Sequence, residues 1–480
     1  MAIDYAQISC NLASIIEEDS VFLFLIDKLN NLDISRRKIS FNFIRLCYTY
    51  YILIKFNSRF KDTFLARSFI DYMHQNISDF IDENVELSDL YSNIYVRLQD
   101  ASPKVVKNLF KILERETRGQ STNPLWHAMR KNCITATKIY DIYISKSFSG
   151  IQEHSYLGDA VLYGIKHERI IEHLLKTFFV KKPWISKTLG LLLDPSSGVF
   201  GASIDSYYGI SFNDNNLIEV GDKVVIFELK FRYKYLREKN DLFVSELLQN
   251  PSEIALAKFI LSHPIPAIEY RENGKMPSAR EYLITNNPLY DSGKKRRACL
   301  TPKNLTFDIT RLIPMNEKNV STAIIFDVVK DCILNTLVAY QKAIFTIDAF
   351  INPRHRYYFQ SILQQYVMTQ FYIQDHDNPE NIEKENLPSV YIVSAIFRKR
   401  EDDEKNCRLL IEDTEYLEEE IPLILLITPI TIDAEFTSRV IKDICCIWEN
   451  KIAQQTNLKI WAQSAVRQYM AASSARPKTP

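Results

Sequence analysis

Glycine is scarce in this chain: 11 of 480 residues. No G-x-x-x-x-G-K-[ST] sequence occurs, which argues against a nucleotide-driven phosphotransferase. Cysteine appears eight times and never as C-x-x-C. The adjacent Cys445-Cys446 pair does not suit metal-ligand spacing. Reduced thiols in a cytosolic or nuclear protein are therefore expected, not a disulfide framework. Neither sign of charge is in excess, because 59 basic residues balance 59 acidic ones. Nucleic-acid binding must then be argued from local clusters, not from overall charge. Apolar runs such as Val21–Ile26 and Leu423–Ile427 fall far short of the roughly 20 residues a membrane span needs. The first residues carry Asp4, Glu17, Glu18 and Asp19 and show no basic-then-apolar leader pattern. No membrane association is expected.

What is present is an ordinary globular composition, 46% hydrophobic and 25% charged, in a chain long enough for one to three domains. The few glycines are informative by position. Nine of the 11 lie from Gly119 to Gly221, so tight turns and close backbone approaches are concentrated there. Residues 1–118 have helical spacing, as in Phe41, Ile44, Tyr48 and Tyr51. Helical spacing returns over Ala160–Val180. Gly190–Leu193 and Val199–Tyr207 read as strands joined by Pro195-Ser196-Ser197-Gly198, and Val224–Phe231 as a buried strand. Residues 242–310 are mixed, with a polar loop around Tyr290–Ala298. A helix is expected after Arg354, and strands over Val390–Phe397 and Leu423–Thr428. The last eleven residues read as disordered. The expected organisation is a helical lobe (1–118), an α/β core (119–435), and a C-terminal helix with a tail (436–480).

Chemistry concentrates in Leu191–Tyr235. Residues two apart on a strand share a face, so Glu228 and Lys230 point together, as do Ser203 and Asp205. If the two strands are neighbours, Asp205, Glu228 and Lys230 converge. Two carboxylates form a hard-oxygen site suited to magnesium. Such a metal polarises a phosphodiester and acidifies a bound water, while a lysine offsets charge on the phosphate. Glu168 falls on one helical stripe with Gly164, Ile171 and Leu175. Each residue alone has a plainer reading: Glu168 a solvated carboxylate, Asp205 a turn residue, Glu228-Leu229-Lys230 a cross-strand ion pair. Their conjunction in this order is the stronger signal. Basic residues interleaved with tyrosines from Lys230 to Lys239, including Arg232 and Lys234, could follow a phosphate backbone. Lys294–Arg297 and Arg398–Arg400 could line the same groove, although charge runs are often only solvated.

Helix, strand and strand bearing an acid, an aspartate and E-x-K resemble the PD-(D/E)XK nuclease superfamily. GLLLDPSSGVFGASID followed by VVIFELKFRYKY resembles the herpesvirus alkaline nuclease family. So do QSTNPLWHAMRKNCITATK (Gln120–Lys138), also similar to lambda-type phage exonucleases, NPRHRYYFQSILQQ (Asn352–Gln365) and IFRKR (Ile396–Arg400). EEEIPLILLITPITI looks most like the gammaherpesvirus shutoff-and-exonuclease branch. The resemblance covers about 120–435. It implies a mixed central sheet flanked by helices and a 5′-to-3′ exonuclease on linear double-stranded DNA, alkaline and magnesium-dependent, with Mn²⁺ able to substitute. It further implies processing of viral replication intermediates, endonucleolytic cleavage of mRNA causing host shutoff, action in host nucleus and cytoplasm, a monomer, and the viral single-stranded-DNA-binding protein as candidate partner. By the same resemblance Asp205 and Glu228 bind metal, Glu168 assists metal or water, and Lys230 is catalytic. Arg130 and Thr137 meet a phosphate of the substrate end. Gln360 lies near the active site, and Tyr163 beside the scissile strand. Thr137 stands where serine is often seen, and Leu229 where isoleucine or valine is common. Read without the resemblance, Arg130 is a surface ion-pair partner, Thr137 a helix cap, and Tyr163 and Trp126 core aromatics.

Overall fold

The computed structural model describes residues from Phe110 to Ala453, apart from 124–125, 127–129, 131–132, 148–158, 183–186, 195–199, 264–278, 291–302, 376–382 and a few single positions. The 1–118 lobe lies outside these residues except for its last stretch, which begins in helix. The Pro195–Gly198 turn, Lys294–Arg297, most of the Tyr290–Ala298 loop and the C-terminal tail also lie outside. No helix among the described residues is long and apolar enough to cross a membrane.

In chain order the elements are β1 (Ile134–Thr135), α1 (Ile139–Ser145), α2 (Asp159–Leu174), β2 (Leu191–Leu193), β3 (Phe200–Ser203), β4 (Ser206–Phe212) and β5 (Ile218–Phe231). Next come α3 (Leu242–Gln249), α4 (Glu253–Leu261), β6 (Leu283–Thr285), α5 (Lys303–Glu317), β7 (Ser321–Asp331), β8 (Thr336–Ile347), β9 (Ala349–Ile351) and α6 (Arg356–Asp375). The last are β10 (Ser389–Lys399), β11 (Arg408–Ile411), β12 (Thr414–Tyr416), β13 (Glu420–Ile430) and α7 (Ala434–Ala453). Eight strands form a mixed sheet in the order β12-β11-β8-β7-β13-β10-β5-β4. A small sheet, β1-β3-β2, stands beside it, and β6 pairs with β9. The fold is α/β, with a curled central sheet and helices.

β5 is the axis of the site. It runs parallel to β10 and antiparallel to β4. Its apolar residues leave both faces: Ile226 enters one core, with β2, β3 and α6, and Phe227 and Leu229 enter another, with α2. A strand covered on both sides needs no polar face, which explains its apolar run. Each of these burials stabilises by about 1.5–3 kcal/mol.

Several expectations are corrected. Val199–Tyr207 is not one strand: the chain leaves the small sheet after Ser203, bends at Asp205 and enters the large sheet at Ser206. The Ala160–Val180 helix loosens after Leu174 into a π turn, Leu175–Val180, closed by Lys181 at φ 54°. Sequence pattern alone leaves 321–347 unassigned, yet it forms the long hairpin β7–β8. A bulge between Ile325 and Phe326 breaks the alternation that would reveal it. The expected C-terminal helix is α7, which buries Phe436, Val440, Ile444 and Trp448 in the same core as β3 and α6.

Two glycines mark close approaches, and the first is required. A Cβ on Gly190 would stand 1.9 Å from the Glu114 carbonyl, where the Gly190 amide donates to Glu114 Oε1 at 2.8 Å. A Cβ on Gly164 of α2 would meet Phe231 Cδ2 at 3.1 Å. The close neighbour is a ring of β5, not its backbone.

The basic segment at the end of β10 is structural. Arg398 is 1% exposed and makes a two-pronged pair with Glu404, at 2.7 and 2.9 Å. Arg400 donates to the carbonyls of Glu418, Glu404 and Cys407. Burial alone would raise the Glu404 carboxyl, but the hydrogen bonds from Arg398 and the Glu401 amide bring its pKa down to about 2. A depressed carboxylate contributes stability above its unfolded pKa and loses it as pH falls through the folded one. Glu404→Gln should cost about 3–5 kcal/mol at pH 7, because it strands a buried guanidinium. The gap to wild type should hold constant above the ordinary 4.5 and close as pH falls towards about 2. Urea unfolding at stepped pH checks both.

Candidate active site

Glu228 and Lys230 share one face of β5, as the strand period requires. The last β4–β5 pair is Ser206 with Phe227, so the next step sets Asp205 against Glu228. The Leu229 amide donates to Asp205 Oδ2 at 2.9 Å. This bond ties the bend between the two sheets to the E-x-K segment. Lys230 Nζ pairs with Glu228 Oε1 and lies 4.7 Å from the centre of the Tyr357 ring.

Glu228 is 1% exposed, and a carboxylate so placed must be hydrogen-bonded. Helix α6 supplies the donors. Gln360 donates to Oε1, and Gln364, one turn on, donates to Oε2. Gln364 also reaches the Ser203 carbonyl at 3.3 Å. From the other side α2 presents Glu168, exposed at the cleft, while Gly164, Ile171 and Leu175 of the same stripe are buried.

Three carboxylates crowd this space. Burial raises the Asp205 pKa well above its ordinary value, and Glu228 raises it further; Lys230 opposes. Glu168 is raised by lost hydration on its cleft side, then by Glu228 and Glu172. Its carboxylate faces solvent, so its charge is partly screened. Burial works against the Lys230 ammonium, but Glu228 and Asp205 outweigh it and hold the proton above the usual lysine range. The site is short of positive charge.

These residues line one cleft of about 410 Å³ with Gln120, Trp126, Arg130, Thr135, Thr137, Ser203, Tyr357 and Gln360. Arg130 lies over Trp126, 4.0 Å from the ring centre, and Nη2 reaches Thr137 Oγ1 at 3.4 Å. The Thr135 and Thr137 hydroxyls are 3.1 Å apart. Trp126 donates to Ser203 Oγ at 2.8 Å. A guanidinium, hydroxyls and an indole on one wall form a surface that can receive a phosphate.

The structure therefore brings together Asp205, Glu228, Lys230, Glu168, Gln360, Ser203, Arg130 and Thr137. Tyr163 is not among the cleft-lining residues. It is 7% exposed and packed against His167, Tyr233 and Phe397, because its position on α2 points to the core. Arg232 is half-buried: it lies 3.9 Å from the centre of the Tyr282 ring, and its Nε donates to Ser394 Oγ at 3.1 Å. Of the basic run only Lys234 is exposed, while Arg237 and Lys239 pair with Asp241 and Glu401. Sequence reasoning missed Gln364 and Tyr357 and left Trp126 open as a core aromatic. The four-residue spacing of Gln360 and Gln364 on one helix face is the signal that could have found the former.

A hard dication fits part of this set. Asp205 Oδ1 accepts no hydrogen bond from the described residues, and the raised proton affinity of Asp205 and Glu168 marks a place where a cation is favoured. Among the described residues, no three His, Cys, Asp or Glu side chains close on one point. Asp205 and Glu228 are the pair that would hold magnesium, which keeps several waters. Glu168 stands at the cleft and does not complete a three-carboxylate cage.

The family model for viral alkaline exonuclease matches residues 12–466. The alkaline nuclease of human herpesvirus 6B is 51% identical over 99% of this chain and 100% of that one. The shutoff alkaline exonuclease of alcelaphine herpesvirus 1 is 27% identical over 83% and 86%. Identity is thus higher with the former than with this shutoff relative. The crystal structure of the shutoff and exonuclease protein from Kaposi's sarcoma-associated herpesvirus superposes with a TM-score of 0.68, at 20% identity, over 94% of this chain and 98% of that one. Its RNA complex matches with a TM-score of 0.66, at 21% identity, over 89% and 90%. Its DNA complex matches with a TM-score of 0.65, at 20% identity, over 90% and 87%. With the fold, the site and the whole-length match in agreement, the chain belongs to the viral alkaline exonuclease family, a family of nucleases.

Proposed function

We propose that this chain is a magnesium-dependent 5′-to-3′ exonuclease on linear double-stranded DNA. The observation that carries the reading is Asp205 set against Glu228 across two strand ends, with Lys230 on the same face and a phosphate-receiving wall in the same cleft. Bound there, magnesium would polarise the phosphodiester and activate water. Lys230 carries the positive charge that meets developing charge on the phosphate. Gln360 donates to the Glu228 carboxylate. Arg130 and Thr137 receive the phosphate of the substrate end, which gives preference for ends over circles.

The reading extends to processing of replication intermediates for genome maturation and packaging, and to endonucleolytic cleavage of mRNA causing host shutoff. Both substrates present the same phosphodiester to one set of groups, and the solved relative forms complexes with both DNA and RNA. Selection between them falls to groove contacts with 2′-hydroxyls and unpaired bases. The proposed setting is host nucleus and cytoplasm, as a monomer, with Mn²⁺ able to substitute and the viral single-stranded-DNA-binding protein as partner.

The deciding experiment is cleavage of end-labelled linear duplex, closed circles and folded mRNA, with Mg²⁺ or EDTA, beside Glu228→Gln. Linear DNA should be degraded from its 5′ end and circles spared. EDTA and the variant should each abolish cleavage, and the RNA lane decides the shutoff activity. Cut circles would favour a structure-selective endonuclease, and binding without cleavage a non-catalytic nucleic-acid-binding factor.

Two further outcomes are expected. Arg130→Ala should raise KM about tenfold or more on 5′-phosphorylated duplex and leave a 5′-hydroxyl duplex little changed, since a charge-assisted phosphate contact is worth about 1.5–3 kcal/mol. Equal effects on both ends would remove Arg130 from end recognition. The second concerns pH. Asp205 keeps its proton above the usual carboxylate range, and a dication bound there must displace it. The Mg²⁺ concentration for half-maximal rate should therefore fall as pH rises above that range. A requirement independent of pH would sink that explanation of alkaline activity.

A further inference from the structure

Gln364 is a buried polar side chain beside the site to which the mechanism above gives no role. It is 0% exposed and sits one helical turn beyond Gln360 on α6. Its Nε2 donates to Glu228 Oε2 and, at 3.3 Å, to the Ser203 carbonyl. Its own Oε1 is buried and meets no donor among the described residues. A buried amide oxygen left bare is unfavourable by about 1–3 kcal/mol. The side chain leaves its own oxygen bare in order to donate to Glu228 and Ser203.

We infer that Gln364 is a positioning residue that sets the plane of the Glu228 carboxylate for metal and links it to the wall that receives the substrate end. The chemistry suits an amide. It donates without adding charge, and Oε2, which accepts from Gln364 alone, keeps a lone pair for a cation. A second cationic side chain there, beside Lys230, would compete with the metal. The two glutamines take opposite oxygens, so rotation of the carboxylate breaks one bond or the other. The second N–H continues the chain of contacts. Ser203 ends β3, and its hydroxyl accepts from Trp126, over which Arg130 lies. One side chain thus spans the large sheet, the small sheet and the end-binding wall. Groups that orient a metal ligand in this way are typically worth about 10–100-fold in metal affinity or activity.

This inference rests on the nuclease reading above, and its test separates the two. The experiment is Mn²⁺ titration of the full chain, followed by electron paramagnetic resonance of free Mn²⁺, for wild type, Gln364→Met and Glu228→Gln. Melting temperature and duplex binding in EDTA are measured on the same samples. Gln364→Met keeps the volume, loses both N–H donors and removes the bare oxygen. Its Mn²⁺ dissociation constant should rise about 10–100-fold. Its melting temperature should change little, because the bare oxygen it removes offsets the donor that Glu228 loses; its DNA binding in EDTA should be unchanged, and its cleavage restored by added Mn²⁺. Gln364→Leu should give the same pattern if the methionine variant folds poorly. Wild-type Mn²⁺ affinity in the folded variants overturns the inference. So does a loss of affinity that only tracks a fall in melting temperature, since that marks a purely structural role. A wild type that binds no Mn²⁺, or a Glu228→Gln that binds it equally well, overturns the metal reading itself.

Discussion

Glu228 is a charge kept almost out of water, and much of the molecule is arranged around that fact. An isolated carboxylate in an apolar interior would take up a proton or unfold its surroundings. Here it accepts from Lys230, Gln360 and Gln364, which come from its own strand and from α6. The charge that remains is shared uneasily with Asp205 and Glu168, and this makes the cleft a place for a cation. Stability and chemistry are set against each other in one group, as expected where a site is built to bind charge from outside.

The sheets deliver the partners to that group. Asp205 sits where the chain passes from the small sheet to the large one, so its position depends on both being in register. α2 is held close by the missing side chain of Gly164, which leaves room for Phe231 and brings Glu168 over β5. α6 bridges β3 and β5 and so carries Gln360 and Gln364. The same sheet turns other charged residues into structure. Arg398 and Glu404 neutralise each other in the interior, and Arg232 is held against Tyr282 and Ser394. The run of basic residues that begins at the end of β5 is thus divided by the fold between cleft, core and solvent.

Much of this could be read in advance. The apolar run around Glu228-Leu229-Lys230 marks a buried strand, and period-two spacing places the acid and lysine together. The helix after Arg354 and the strand before Arg398 follow from spacing as well. Legibility failed where the deciding contact is distant in the chain. The hairpin β7–β8 was hidden by a bulge. Tyr163 and Glu168 lie on one helix, and only the neighbouring elements decide that the first packs inward while the second faces the cleft. Arg398 and Arg400 look like candidates for phosphate until Glu404 and three carbonyls are seen around them.

The sequence by itself determined the local part of the site: which residues share a strand face, which share a helix face, and that carboxylates and a lysine are placed on apolar segments. These follow from backbone periods, which depend only on the order of residues. The tertiary structure decided which charges remain available. That choice depends on burial and on partners far away in sequence, because only the packed chain decides which charges line the cleft and which neutralise each other in the interior.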